Sequence, residues 1–176
     1  MSVTVVVLNG IGGCGKSTFA KFCTKTTQPC RVYELSSVDF VKDVATMCGW
    51  DGSKTTKNRT FLHDLKTLLT EWDDVPNKKV FEQIADLEKL YDDDLVCFVN
   101  IRESAEIKKF VNSAREKGYT AYSLLVENHN AVTTEPQDII DDVYSIAYDC
   151  LVVNDGTLEE LEQLAENFIA SLVKPE

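Results

Sequence analysis

Histidine is scarce in this chain: His63 and His129 are the two among 176 residues, and neither sits at metal-ligand spacing from another histidine. Solvated or hydrogen-bonded rings are expected of both, and a histidine-built metal centre is not. Long apolar runs are missing as well. Stretches such as residues 5–8 and 95–99 fall far short of the roughly 20 residues that cross a bilayer, so no membrane span is expected. Bases are outnumbered, with 18 Lys and Arg against 29 Asp and Glu and a net charge of -11. A nucleic-acid-coating surface must neutralise phosphates with Lys and Arg, so that class is set aside. The six cysteines Cys14, Cys23, Cys30, Cys48, Cys97 and Cys150 include no CxxC pair, and no apolar leader precedes them. Reduced thiols and a cytoplasmic location are expected. Repeats and low-complexity linkers are missing too, which points to a single domain over residues 1–176.

What the chain does have is 44% hydrophobic and 27% charged residues, the mixture of a globular protein with a real core. The charge is unevenly spread. From residue 138 to 176 ten acids face one base, Lys174, whereas within residues 44–63 Lys54, Lys57 and Arg59 face one acid, Asp51. A basic island therefore stands inside an acidic chain.

Short β-branched runs at residues 3–8, 31–35, 95–99, 119–126 and 149–153 read as buried strands. Between them lie segments of helical period. Phe19, Phe22 and Cys23 share a face over residues 16–26, closed by Gln28-Pro29; Val38, Val41, Val44, Ala45 and Cys48 recur at helical spacing. A polar loop over residues 50–57 precedes the clearest apolar stripe, Phe61, Leu62, Leu65, Leu68, Leu69 and Trp72, which ends before Asp73, Asp74 and Pro76. Arg59, His63 and Lys66 share its polar face, and Trp50 and Trp72 are expected to pack. Helices are also predicted over residues 80–91, around Ile107 to Ala114, over 138–147 and over 158–172. The last opens on Thr157 and Glu160, a capping-box pair. Strands alternating with helices predict an α/β fold of three layers, α/β/α, on a mostly parallel five-stranded sheet.

Residues 10–17, GIGGCGKS, satisfy GxxxxGK[ST] in full, after a predicted strand and at the start of a predicted helix. Gly10, Gly12, Gly13, Cys14 and Gly15 would turn backbone N–H groups around a polyphosphate at a helix N-terminus. Lys16 would reach the β and γ phosphates, Ser17 would offer a hydroxyl to Mg²⁺, and Thr18 would contact the α-phosphate or simply begin the helix. This is the P-loop pattern. A GTPase would need NKxD and DxxG; Asn77-Lys78-Lys79-Val80 lacks the aspartate, and no DxxG stands in the expected region. The predicted strand 95–99 runs into Asn100-Ile101-Arg102 and not into the aspartate usual in motor and transporter ATPases.

On these residues the chain resembles the P-loop nucleoside and nucleotide kinases, and more loosely the phage-type deoxynucleoside monophosphate kinases and animal-type phosphomevalonate kinases. Leu35-Ser36-Ser37 followed by Lys42-Asp43 resembles the family's acceptor-facing turn. Ile101-Arg102 resembles its Val-Arg after a central strand, and residues 154–161 resemble the strand-loop-helix that approaches adenine. The resemblance implies the P-loop NTPase fold, ATP with Mg²⁺, and a small-molecule acceptor such as a nucleoside monophosphate. Residues 50–78 would form an acceptor-binding insertion and residues 127–137 a lid-like loop. That loop departs from the family in carrying no arginine, so Arg59, Arg102 or Arg115 must supply the charge, or the lid is degenerate.

Phosphoryl transfer asks for positive charge, a metal and an aligned acceptor, with little covalent help. The expected assignments are Lys16, Arg59 and Arg102 around the transferred group, with Ser36, Asp39, Lys42, Lys54 and Arg59 at the acceptor. Asp39 or Glu34 would orient an acceptor hydroxyl or hold the metal through water, or either would cap a helix, and for Asp39 a charge at a helix N-terminus is the preferred reading. Two other functions stay open: a kinase of a non-nucleotide phosphorylated metabolite, and a regulatory nucleotide-binding ATPase without an acceptor.

Overall fold

The computed structural model describes residues 2–25 and 30–173, so the predicted Gln28-Pro29 break lies outside the described residues. In chain order the elements are β1 (Val3–Asn9), α1 (Lys16–Lys25), β2 (Cys30–Ser36), α2 (Asp39–Met47), α3 (Thr56–Asp73), α4 (Val75–Leu90), β3 (Asp94–Asn100), α5 (Ser104–Glu116), β4 (Thr120–Glu127), α6 (Gln137–Val143), β5 (Cys150–Val153) and α7 (Leu158–Leu172). The chain divides into two compact units, residues 1–34 with 91–176, and residues 35–90.

The first unit is built on a five-stranded sheet of order β2-β3-β1-β4-β5. β1 pairs in parallel with β3 and β4, and β4 with β5. Every residue of β1 is buried, as a central strand covered on both faces requires. Alternation along the strands sends Val6, Leu8, Val96, Phe98 and Leu124 to one face, where Phe19 and Cys23 of α1 and Leu161 and Ile169 of α7 cover them. Phe19 meets Phe98 edge-on at a centroid distance of 6.2 Å. α5 packs on β1 and β4, burying Ile107, Phe110, Val111 and Ala114. Helices thus cover both sides of the parallel sheet, giving the three-layer α/β/α arrangement. α7 begins with the predicted capping box: Thr157 Oγ1 accepts from the Glu160 amide, and Glu160 Oε2 accepts from the Thr157 amide at 2.7 Å.

The second unit is a set of three helices in which α3 packs on α2 and α4. α3 starts inside the predicted 50–57 loop because Thr55 caps it, its Oγ1 accepting from the Asn58 amide at 3.2 Å. The Asn58 side chain in turn donates to Asp51 Oδ1, Ser53 O and Ser53 Oγ, knitting the loop to the first helical turn. Asp74 takes a left-handed conformation (φ 50°) that ends α3, and α4 follows at once. Pro76 therefore opens a helix and does not merely terminate one: a first-turn position asks for no N–H.

The α3 stripe is wider than its partners can cover. Leu62, Leu65 and Leu69 are half-buried, whereas Phe61, Leu68 and Trp72 are exposed, Trp72 by 75%, which overturns the packing role expected of that tryptophan. Trp50 is half-buried, and its indole N–H donates to Ser53 O.

Candidate functional site

β1 ends at Asn9, and the next residues turn sharply. Gly10 adopts φ 149°, where a Cβ would collide with the Val126 carbonyl oxygen; Gly15 adopts φ 98°, where a Cβ would strike the Asn154 side chain. Glycine is required at both places by conformation and by the closeness of a neighbouring strand end. Cys14 is wholly buried and its side chain belongs to the core, while its carbonyl accepts from Asn154 Nδ2 at 2.9 Å. The loop is thus tied to the end of β5 through the Cys14 backbone.

α1 starts at Lys16, so its first amides have no partner within the helix and face an anion-attracting helix terminus. Lys16 Nζ lies folded back on the loop, donating to Gly10 O at 2.7 Å and Ile11 O at 3.1 Å. Burial pulls this ammonium below its ordinary value, with Arg102 acting the same way and the Cys14 sulfur and Glu135 carboxylate opposing. Ser17 is exposed and Thr18 half-buried. An exposed hydroxyl at the start of α1 suits a hard cation such as Mg²⁺, which prefers oxygen ligands and keeps several waters.

Arg102 follows β3 and is brought to the loop by backbone: its carbonyl accepts from Asn9 Nδ2 at 3.2 Å. The same Asn9 amide donates to Tyr148 Oη at 2.8 Å, and Tyr148 donates onward to the Val143 carbonyl. Asp142 of α6 accepts from the Ser104 amide and hydroxyl, fixing the turn just after Arg102. Asn9, Tyr148 and Asp142 are positioning groups with no motif to announce them. Arg115 is elsewhere. Its guanidinium donates to the Ala121 carbonyl and to Asp149, at the starting end of β4, whereas the glycine loop follows the finishing end of the parallel β1. Arg115 is therefore a structural residue and not a source of charge for the loop. Burial pushes Asp149 up, but Ser123 and Arg115 outweigh it and hold the carboxyl below the usual range.

The 127–137 loop reaches the glycine loop with an acid. Glu135 Oε2 accepts from the Gly12 amide at 2.7 Å, and Oε1 lies 3.4 Å from Arg102 Nη1. Beside it His129 bridges two carboxylates, Nδ1 at 2.7 Å from Asp155 Oδ2 and Nε2 at 3.5 Å from Glu127 Oε2. The Asp155 hydrogen bond raises the His129 pKa above its ordinary value, and the same bond lowers that of Asp155. His129 is hydrogen-bonded, as expected of a lone histidine. Next to Asn154 a shallow cavity of about 380 Å³ is lined by Val153, Asn154, Asp155, Gly156, Leu161 and Leu164.

Glu34, on β2, accepts from Asn100 Nδ2 at 2.8 Å, joining the ends of β2 and β3. The remaining expected residues belong to the second unit. Ser36 Oγ accepts from the Val38 amide at 3.3 Å. Asp39 stands in the first turn of α2 and accepts from Lys42 Nζ at 3.0 Å, both side chains about half exposed. Lys54 and Arg59 are exposed, one before α3 and one in its first turn. Glu135 escaped sequence reasoning because no local pattern distinguishes it from Glu127, the loop's other acid; it is found only when strand order folds the loop onto Gly12.

No protein-family model matches the chain, and no curated protein does. Solved structures do. The tunicamycin resistance protein of Deinococcus radiodurans aligns at a TM-score of 0.61 with 12% identity, over 99% of this chain and 98% of that one. TT1252 from Thermus thermophilus aligns at 0.56 with 16% identity, over 99% and 100%. A protein of Chloroflexus aurantiacus, described as a proposed kinase, aligns at 0.56 with 12% identity, over 97% of each chain. At such identities the likeness is one of fold, and it agrees with the three-layer α/β/α arrangement.

Proposed function

We propose that the chain is an ATP-dependent small-molecule kinase, taking the γ-phosphoryl group of MgATP to a small anionic acceptor such as a nucleoside monophosphate. The observation that carries this is the glycine loop itself: residues 10–17 join a buried parallel strand to a helix N-terminus, with Lys16 held over the loop by two of its carbonyls. Lys16 is assigned to the β and γ phosphates and Arg102 to the transferred group. Ser17 is assigned to Mg²⁺, which when bound would neutralise phosphate oxygens. The cavity beside Asn154 is the support for placing the base there, since Asn154 also bonds the loop. Ser36, Asp39, Lys42, Lys54 and Arg59 are assigned to the acceptor on charge and on the resemblance.

The test is ADP release with MgATP across nucleoside monophosphates and phosphorylated metabolites. Stimulation by one acceptor is expected, with Lys16→Ala lowering it about a hundredfold or more. A second reading, a nucleotide-binding regulatory ATPase, is favoured by the lid-like loop that carries Glu135 in place of arginine. Flat basal turnover across all acceptors would select it over the kinase.

A further inference from the structure

We infer that Glu135 is a built-in phosphate mimic, whose carboxylate competes with a triphosphate for the Gly12 amide and must leave that amide before the triphosphate binds. The inference rests on the phosphate-binding reading of the glycine loop and adds a regulatory contact to it.

The contact is close and is made by a group of the right charge. Glu135 Oε2 accepts from the Gly12 amide at 2.7 Å, a charge-assisted distance, while Oε1 faces the Arg102 guanidinium at 3.4 Å. The Glu135 side chain is 19% exposed, against 70% for Arg102, so the carboxylate is set into the loop and does not hang from the surface. Backbone follows side chain. A Cβ built on Gly12 would lie 3.1 Å from the Glu135 carboxyl, and one on Gly13 would lie 3.5 Å from the Val132 carbonyl oxygen. Residues 132–135 therefore lie directly on the cradle. The Glu135 amide donates to Thr133 Oγ1 at 3.1 Å, a local turn that fixes where the acid points.

Charge then decides what this closure means. A loop bearing arginines is drawn to a bound polyphosphate, whereas a loop bearing a glutamate is repelled by one. Glu135 satisfies the Gly12 amide, while the loop carbonyls of Gly10 and Ile11 satisfy the Lys16 ammonium. Both groups that would meet a phosphate are thus engaged internally. A carboxylate and a phosphate compete for one amide, so binding requires the Glu135 carboxylate to leave Gly12, which couples its position to the nucleotide.

Two measurements test this on the full chain. Calorimetric titration with MgATP and with inorganic pyrophosphate compares the wild type with Glu135→Ala, Glu135→Gln and Lys16→Ala. Glu135→Ala is expected to bind both probes about tenfold more tightly, or about 1.4 kcal/mol, with Glu135→Gln between it and the wild type. Hydrogen exchange at the Gly12 amide without ligand is expected to be slow in the wild type and faster in both Glu135 variants. Glu135→Gln keeps the shape and serves if the alanine variant does not fold. Equal affinities overturn the inference and leave the phosphate reading standing. Weaker binding by the Glu135 variants also overturns it, making the acid a contributor to nucleotide binding. Absence of heat from the wild type and every variant sinks the phosphate reading and takes the inference with it.

Discussion

Asn154 is a single amide whose loss tests how the glycine loop is held. Its Nδ2 donates to the Cys14 carbonyl at 2.9 Å, and its backbone N–H donates to Glu127 O at 2.7 Å. Replacing it by alanine removes the first bond and keeps the second. That leaves the carbonyl of the buried Cys14 without this donor, at a cost of about 1 kcal/mol. For a chain of 176 residues that lowers the melting temperature by about 3 °C. Aspartate at this position is a sharper probe, since it has the same shape but turns an acceptor toward the carbonyl. The expected cost is about 2–3 kcal/mol at neutral pH. Its folded-state pKa must rise above the ordinary value of about 3.9, because the protonated form regains a donor. The aspartate penalty is therefore full above the raised pKa and shrinks as pH falls toward the unfolded value, so Asn154→Asp approaches or passes Asn154→Ala in acid. Urea unfolding of the three proteins at pH 7.5 and near pH 4 measures this, with MgATP titrations at neutral pH alongside. Affinity should fall severalfold in Asn154→Ala and further in Asn154→Asp, whose charge would stand against the loop proposed to hold the phosphates. If Asn154→Asp were as stable as the wild type at pH 7.5, the bond to Cys14 would not hold the loop.

Two further outcomes follow from the titrating groups. His129 has a folded pKa raised above 6.5 by Asp155, so its clasp contributes stability that is complete below the unfolded pKa and lost as pH rises through the folded one. A proton NMR titration of its ring should show this elevation, and Asp155→Asn should lower it toward the ordinary value, with Glu127 still raising it; an unshifted ring in the wild type would refute the clasp. Burial pushes the Cys23 and Cys97 thiols up to about 12, whereas Cys48 is exposed. Alkylation of the native chain at pH 8 followed by mass spectrometry should label Cys48 first and spare Cys23 and Cys97, and early labelling of Cys97 would contradict the buried β3.

Much of the fold was legible because burial on both faces leaves a plain mark. β1 and β3 are nearly unbroken apolar runs, and α7 carries both its capping box and its period of three and four. The boundaries that moved did so for local reasons: Thr55 and Asn58 started α3 early, and the left-handed Asp74 let α4 begin before Pro76. The α3 stripe misled, since its spacing reports amphipathicity and not how many neighbours the helix will have. Phe61, Leu68 and Trp72 face outward because α2 and α4 cover the rest of that stripe.

By itself the sequence determined the glycine loop, because glycines, lysine and serine at fixed spacing between a strand and a helix constrain the backbone within a few residues. The order β2-β3-β1-β4-β5 was decided only in three dimensions. That order brought Asn154 to the loop's carbonyl, Arg102 to Asn9 and Glu135 to the Gly12 amide, and it carried Arg115 to the far end of β4. These contacts join residues as many as 140 positions apart. Local propensity acts over a turn or two, so such pairings leave no periodic trace along the chain and arise from the way strands pair.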